Sequence, residues 1–176
     1  GNPAFSRTVV TAYNSVVANL VNVTTSITGM NLTVIKASPY TAHTIYFGTT
    51  SGRLWKVTGM NTATPVATQL VQKSGAVSCI EIGATDNELI LTHSNYNVTS
   101  VWYSNDGGTT WVDKDASGYG LPNIPIRFAL FNPLNRKQVL LATELGVWST
   151  TDVTATNPNW QPTNANLANV RCDMLR

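Results

Sequence analysis

The sequence predicts an all-β protein built from about four repeated antiparallel units. Two observations lead to this prediction: a composition that favours strands, and a pattern of apolar runs that recurs along most of the chain. Charged residues are only 11% of the 176 residues, against about 25% in a typical globular chain. Thr, Ser and Asn fill the polar positions instead, and Thr favours strands whereas Asn favours turns.

Three segments share one order of features: an apolar run, a turn, a second apolar run, a short turn and a third run centred on Trp. Their first runs align at Val34, Cys79 and Phe128, and Cys172 continues the series. The intervals between these positions are 45, 49 and 44 residues. Four strands of about six residues with short connections have this length, which is that of one propeller blade. The repeat therefore predicts a β-propeller segment of antiparallel four-stranded blades.

The whole chain, residues 1–176, is predicted to be one partial propeller domain. Three complete blade units are predicted, and the two ends form partial units. The complete units are about 32–76, 77–125 and 126–169, and the partial units are 1–31 and 170–176. Either the chain is a segment of a larger ring, or its ends share a blade and close a four-unit ring. We favour the segment, because residues 1–31 lack a Trp-centred run.

The two cysteines occupy the same position in units that are two apart. Because a disulfide needs Cα atoms within about 7 Å, we predict that Cys79 and Cys172 are free thiols. Their spacing matches no metal motif, so no metal or cofactor is predicted.

The charge pattern excludes some classes of function. The net charge is +2, and the sequence contains no run of Lys or Arg of the kind that indicates binding to nucleic acid. No apolar stretch reaches the roughly 18 residues of a membrane span. No signal peptide precedes Gly1, although a mature chain would lack one. Low Lys content with many Thr and Asn residues favours an extracellular, periplasmic or cell-surface protein.

One turn carries a distinctive motif, Ser-x-Asp-x-Gly-x-x-Trp, at Ser104, Asp106, Gly108 and Trp111. It resembles the Asp-box, or BNR repeat, of β-propellers such as sialidases, sortilin-type receptors and xyloglucan endoglucanases. We interpret the motif as structural: Asp106 accepts backbone hydrogen bonds, Gly108 adopts positive φ, and Trp111 packs between blades. The resemblance implies that the box lies on the face away from the active site.

The resemblance also implies that the first strands line the channel and begin on the face opposite the box. The candidate ligand-binding residues there are Arg127, Arg171, His93 and Tyr96. Two Arg side chains suit a carboxylate or sulfate, whereas the alternative is that they pair with Glu144 and Asp173. Glu144 and Asp173 are also weak catalytic candidates. The acids that follow Trp111, Asp113 and Asp115, are expected near the box.

Three functions remain open from the sequence. The first is a secreted or cell-surface module that binds a glycan or a protein and is related to glycoside hydrolases. The second is part of the catalytic propeller of a sialidase-like or endoglucanase-like glycoside hydrolase. The third is an architectural repeat without its own ligand. Expected partners are a glycan, a cell-surface protein, further blades of the same parent chain, or a second copy.

Overall fold

The computed structural model describes residues 31–163 and 169–176, and the backbone of residues 4–12 and 15–22. Parts of the predicted partial unit 1–31 and of the unit 126–169 therefore lie outside the described residues. The described residues form fourteen strands and no helix, which confirms the all-β prediction. The first two strands, β1 (Ala4–Ala12) and β2 (Ser15–Asn22), pair antiparallel with each other.

The described part of the chain from residue 31 contains three four-stranded antiparallel sheets, each in the strand order of the sequence. We call them blades 1, 2 and 3, and the predicted class of β-propeller blades is confirmed. Blade 1 consists of β3 (Leu32–Ala37), β4 (Ile45–Thr49), β5 (Arg53–Thr58) and β6 (Val66–Gln72). Blade 2 consists of β7 (Val77–Ile82), β8 (Leu89–His93), β9 (Val101–Ser104) and β10 (Val112–Asp113). Blade 3 consists of β11 (Ile126–Asn132), β12 (Asn135–Thr143), β13 (Gly146–Thr150) and β14 (Gln161–Pro162).

Each first strand has a one-residue register shift near its start. The shift falls immediately before Val34 in β3, Cys79 in β7 and Phe128 in β11. One extra residue on one strand is a β-bulge, which bends the strand and increases its twist. The repeat positions seen in the sequence are therefore the first residues after an equivalent bulge in all three blades.

Blade 2 is packed on both faces, which explains its long apolar runs. All five residues of β8 are buried. Leu89 and Leu91 belong to the apolar cluster shared with blade 1, and Ile90 belongs to the cluster shared with blade 3. Because successive side chains of a strand point to opposite faces, such a strand needs apolar residues at every position.

The close approach of blades 1 and 2 depends on Gly48 in β4. A Cβ atom there would lie 2.4 Å from Val77 Cγ1 and 2.9 Å from Val34 Cγ1. No real Cβ has contacts this short, so a larger residue at position 48 would push the first strand of blade 2 outwards.

The last eight residues differ from the sequence-based expectation. The segment Asn169–Arg176 aligns with a first strand, yet it contains no strand in the structure. Its Cys172 N–H donates to the Thr143 carbonyl of blade 3 at 2.9 Å. A strand requires a ladder of such bonds with a neighbour, and this segment lacks that ladder among the described residues. Cys172 and the buried Cys79 are both free thiols, as predicted.

Within the described residues, the search for a helix long and apolar enough to cross a membrane finds none.

Trp160 links blade 3 to blade 2, and we expect its removal to destabilise the fold. Its ring is fully buried, and its Nε1–H donates to the Lys114 carbonyl at 2.7 Å. Trp160→Phe leaves that carbonyl unpaired and should cost about 1–3 kcal/mol of unfolding free energy. Trp160→Ala adds a cavity and should cost about 3–5 kcal/mol.

Urea denaturation followed by circular dichroism measures both losses. Leu134→Ala is the control, because Leu134 is 95% exposed and its removal should change stability by less than about 0.5 kcal/mol. Equal stability of Trp160→Phe and the wild type would show that the hydrogen bond between the blades contributes nothing.

Candidate functional site

Strand pairing in blade 2 defines two faces of the molecule. Ser104, at the end of β9, pairs with Leu89 at the start of β8. Val77, at the start of β7, pairs with His93 at the end of β8. The turn from Ser104 to Trp111 therefore lies at one end of the strands. We call this side of the molecule the Asp-box face. The first strands begin at the other end, and we call this side of the molecule the opposite face.

The turn from Ser104 to Trp111 is stabilised by hydrogen bonds among its own residues. Ser104 Oγ donates to Asp106 Oδ1 at 2.8 Å and accepts from the Gly108 N–H at 2.9 Å. Asp106 accepts from the Thr110 N–H at 2.9 Å and from the Thr110 hydroxyl at 2.6 Å. These bonds, the Thr110 hydroxyl first, lower the pKa of Asp106 to about 2.

Two further residues attach the turn to blade 1. Gly108 has a φ of 91°, and a Cβ there would lie 2.8 Å from Leu70 Cδ1 of β6. Trp111 packs against the apolar cluster shared by blades 1 and 2, and its Nε1–H donates to the Gly108 carbonyl at 2.9 Å. All these contacts favour a structural role for the turn.

On the opposite face, four sequence-predicted residues form one ionic cluster. Arg127 donates to Glu144 through both Nε, at 2.8 Å, and Nη2. Arg171 Nε lies 4.0 Å from Glu144 Oε1 and 2.8 Å from Asp173 Oδ1. Both Arg side chains therefore already have carboxylate partners, which is the alternative weighed from the sequence.

The other two candidates lie apart. His93 is fully buried, and neither ring nitrogen has a hydrogen-bond partner among the described residues. Burial and, to a lesser extent, the charge of Lys73 lower its pKa to about 4, so the imidazole is neutral at pH 7. Tyr96 is 58% exposed in the loop between β8 and β9.

A groove of about 590 Å³ opens between blades 1 and 2 on the opposite face. Trp102, which is half-buried, forms part of its wall, and Lys73 Nζ lies 3.6 Å from the centre of the Trp102 ring. The remaining lining residues are neutral: Ser51, Gln72, Ser74, Asn97, Val98 and Thr99. We call this the first groove.

A second groove of about 620 Å³ lies on the other side of Asn97, Val98 and Thr99. It contains two carboxylates, Asp113 and Asp115. Asp113 Oδ2 accepts from the Thr99 hydroxyl at 3.1 Å, and Asp115 Oδ2 accepts from the Ser100 N–H at 2.8 Å. Burial, aided by the charge of Asp113, raises the pKa of Asp115 to about 6. This acid is therefore partly protonated near pH 6.

The sequence-based position of these two acids is wrong. Asp113 and Asp115 lie on the opposite face, and not beside the Asp-box, because β10 is only two residues long and runs away from the turn. Asp113 pairs with Trp102, and the Lys114 N–H reaches the Val101 carbonyl at the start of β9. Asp113 comes only two residues after Trp111, where the chain already runs back towards the opposite face. This short distance is the sequence signal that could have indicated the position of the two acids.

Lys73 and Trp102 were also missed as site residues, because only the packing of β6 against β9 brings them together. In the described residues, no group of three or more His, Cys, Asp or Glu side chains could hold a metal ion.

No protein-family model matches the chain, and no curated protein matches it. Several solved structures are similar to the chain. A GH74 enzyme of Niastella koreensis has a TM-score of 0.53 and 17% identity over 72% of this chain and 20% of its own. The GH74 xyloglucanase of Xanthomonas campestris has a TM-score of 0.58 and 12% identity over 82% of this chain and 25% of its own. An ancestral GH74 enzyme has a TM-score of 0.55 and 18% identity over 74% and 18%.

These neighbours are propeller-type glycoside hydrolases. The likeness shows the fold: the chain has the architecture of a segment of such a propeller. It spans between about a sixth and a quarter of the length of each of these enzymes.

We expect Asp106 to stabilise the fold in a pH-dependent way. Its folded pKa is depressed to about 2, so its contribution is complete above the unfolded value of about 3.9 and is lost as pH falls through 2. Asp106→Asn should therefore be less stable than the wild type at pH 6, and the two should converge near pH 2. Urea unfolding at several pH values measures this. A gap that persists unchanged at pH 2 would contradict the carboxylate's role.

Proposed function

We propose that this chain is part of a secreted or cell-surface propeller, related to glycoside hydrolases, that binds a glycan on the opposite face. The ligand lies across the first and second grooves. The ionic cluster at Arg127 and Glu144 lies at the starts of the first strands and helps to hold that face in shape.

The observation that carries the proposal is the lining of the first groove. A half-buried Trp102 stands among the amide and hydroxyl side chains of Gln72, Asn97 and Thr99. Small-molecule sites combine aromatic walls with a few placed polar groups, and this combination suits sugars. Lys73 covers part of the Trp102 ring. Sugar C–H groups can pack on the part of the ring that stays exposed, and sugar hydroxyls can exchange hydrogen bonds with the amides and hydroxyls.

The comparisons support the same ligand class. One of the similar structures is described as a xyloglucanase, an enzyme that acts on a sugar polymer. A polymer also suits the shape of this surface, because the two grooves adjoin each other at Asn97, Val98 and Thr99 and a ligand of several sugar units can reach both. Low net charge agrees with a ligand that is bound mainly through stacking and neutral hydrogen bonds.

A second candidate function is catalysis in the second groove. A glycosidase needs a general acid whose pKa lies near the working pH, beside a second carboxylate. Asp115, with its raised pKa, and the neighbouring Asp113 favour this function. The sequence-based candidates Glu144 and Asp173 suit it less, because Arg side chains pair with both.

A pair of tryptophan variants tests glycan binding. Trp102 and Trp111 pack against the same apolar cluster but lie on opposite faces. Trp102→Phe should weaken binding of xyloglucan oligosaccharides about tenfold, which is about 1.4 kcal/mol, because it loses ring area in the groove. Trp111→Phe should leave affinity unchanged. Isothermal titration calorimetry measures both.

The outcomes separate the candidate functions. Equal losses in the two variants would mean that the effect is general destabilisation. Absence of binding across a wide panel of glycans would instead favour the architectural role.

Catalysis is tested by the release of reducing ends from the same oligosaccharides. If Asp115 is a general acid, the rate should fall as pH rises through about 6, because the proton is then lost. Asp115→Asn should abolish the activity, whereas Asp173→Asn, which changes an exposed acid of the ionic cluster, should retain it. A rate that survives Asp115→Asn would exclude this acid from the chemistry.

A further inference from the structure

We propose that the first groove is a subsite for an acidic sugar, whose anionic group binds the Lys73 ammonium. This inference rests on the proposed glycan-binding function and names the substrate class. The anionic group is a carboxylate or a sulfate, since both offer the oxygen acceptors that an ammonium group binds.

Lys73 is held in the groove but is not neutralised there. Its Nζ lies over the Trp102 ring at 3.6 Å, and the ring fixes the ammonium through a cation–π contact. Among the described residues, no carboxylate lies within ion-pair distance of Lys73. An ammonium has three N–H donors, and the π-face satisfies only one side of it. The remaining donors are available to a ligand.

Several other basic side chains of the described chain are neutralised by carboxylates. Lys36 pairs with Glu81, Lys137 with Asp152, and Arg127 with Glu144. The lining of the first groove contains no Asp or Glu, so its only formal charge is that of Lys73. The groove is therefore a positively charged site, whereas the cluster at Arg127 on the same face contains its own carboxylates.

The buried His93 lies close enough to Lys73 for the lysine charge to lower the pKa of its imidazole. It lies on the same face of blade 2 as Trp102, because Trp102 pairs with Leu91 and side chains alternate along β8. The ring is buried and neutral, and both of its nitrogens are unpartnered among the described residues. Because this imidazole is neutral, it adds no second positive charge beside Lys73.

The second groove makes the subsite selective along a polymer. Thr99 connects the two grooves: its carbonyl accepts from Trp102 Nε1 at 3.2 Å, and its hydroxyl donates to Asp113 at 3.1 Å. Asp113 and Asp115 make the second groove negative, so it repels an anionic sugar residue. A polysaccharide that contains an acidic sugar therefore binds in one register. The acidic sugar lies at Lys73, and a neutral sugar lies beside Asp113 and Asp115.

The test uses matched ligands that differ only in charge. Oligogalacturonate carries carboxylates, and its full methyl ester is the neutral counterpart with the same backbone. A sulfated galactan oligosaccharide distinguishes sulfate from carboxylate. Calorimetry at low and at moderate salt measures affinity, because an ionic contact on an exposed face weakens as salt is added.

The protein variants isolate Lys73 from general charge effects. We expect the wild type to bind the acid at least about tenfold more tightly than the ester. Lys73→Gln should abolish this preference while ester binding stays unchanged, and Lys73→Arg should restore it. Lys56→Gln is the matched control, since Lys56 also lies over an aromatic ring, that of Tyr46 at 5.6 Å, but outside the groove.

Failure of the subsite and failure of the proposed function give different results. Equal affinity for acid and ester, or a preference that survives Lys73→Gln, overturns the subsite alone, provided that neutral glycans still bind and Trp102→Phe weakens them. If no saccharide binds, both proposals are wrong. Unchanged melting temperatures of the Lys73 variants show that any loss is local.

Discussion

The packing of blade against blade is the constraint on which the rest of this structure depends. A four-stranded sheet cannot stand alone in water when both of its faces are apolar, and blade 2 is such a sheet. Every residue of β8 is buried because blades 1 and 3 cover it from both sides. Two further contacts also depend on the close packing of neighbouring blades. Gly48 has no side chain to separate blades 1 and 2, and Trp160 donates a hydrogen bond from blade 3 to Lys114 of blade 2.

Burial in this architecture is consequently set by the neighbours of a strand more than by the strand itself. Equivalent positions of blades 2 and 3 show this: Cys79 and Ile90 are buried beneath blade 3, whereas Phe128 and Leu140 are half-buried. The strand order and the bulge near the start of the first strand are the same in both blades. The two blades differ in whether a neighbouring blade packs over these positions. A composition-based estimate of the core would miss this, because apolar content is similar in both blades.

The sequence predicted the class of fold but did not point to the two grooves proposed as the binding site, and both results have physical reasons. Strand order follows from a repeat whose apolar runs recur with similar spacing, and the equivalent bulges before Val34 and Phe128 preserve that register. A site depends on contacts between distant segments. Arg127 was a candidate for ligand binding with pairing to Glu144 as the alternative, and Glu144, seventeen positions away, binds it. Lys73 attracted no attention, because its partner Trp102 lies in another blade.

The electrostatics of the opposite face follow from the same geometry. The centre of the face, near the first strands, holds ion pairs that neutralise one another, as Arg127 and Glu144 do. Nearer the outer strands the charges are separated, because Lys73 ends one blade and Asp113 ends the next. Separated charges keep their fields, whereas paired charges largely cancel. The outer grooves are therefore better placed than the starts of the first strands to discriminate between ligands, although the sequence first directed attention to the first strands.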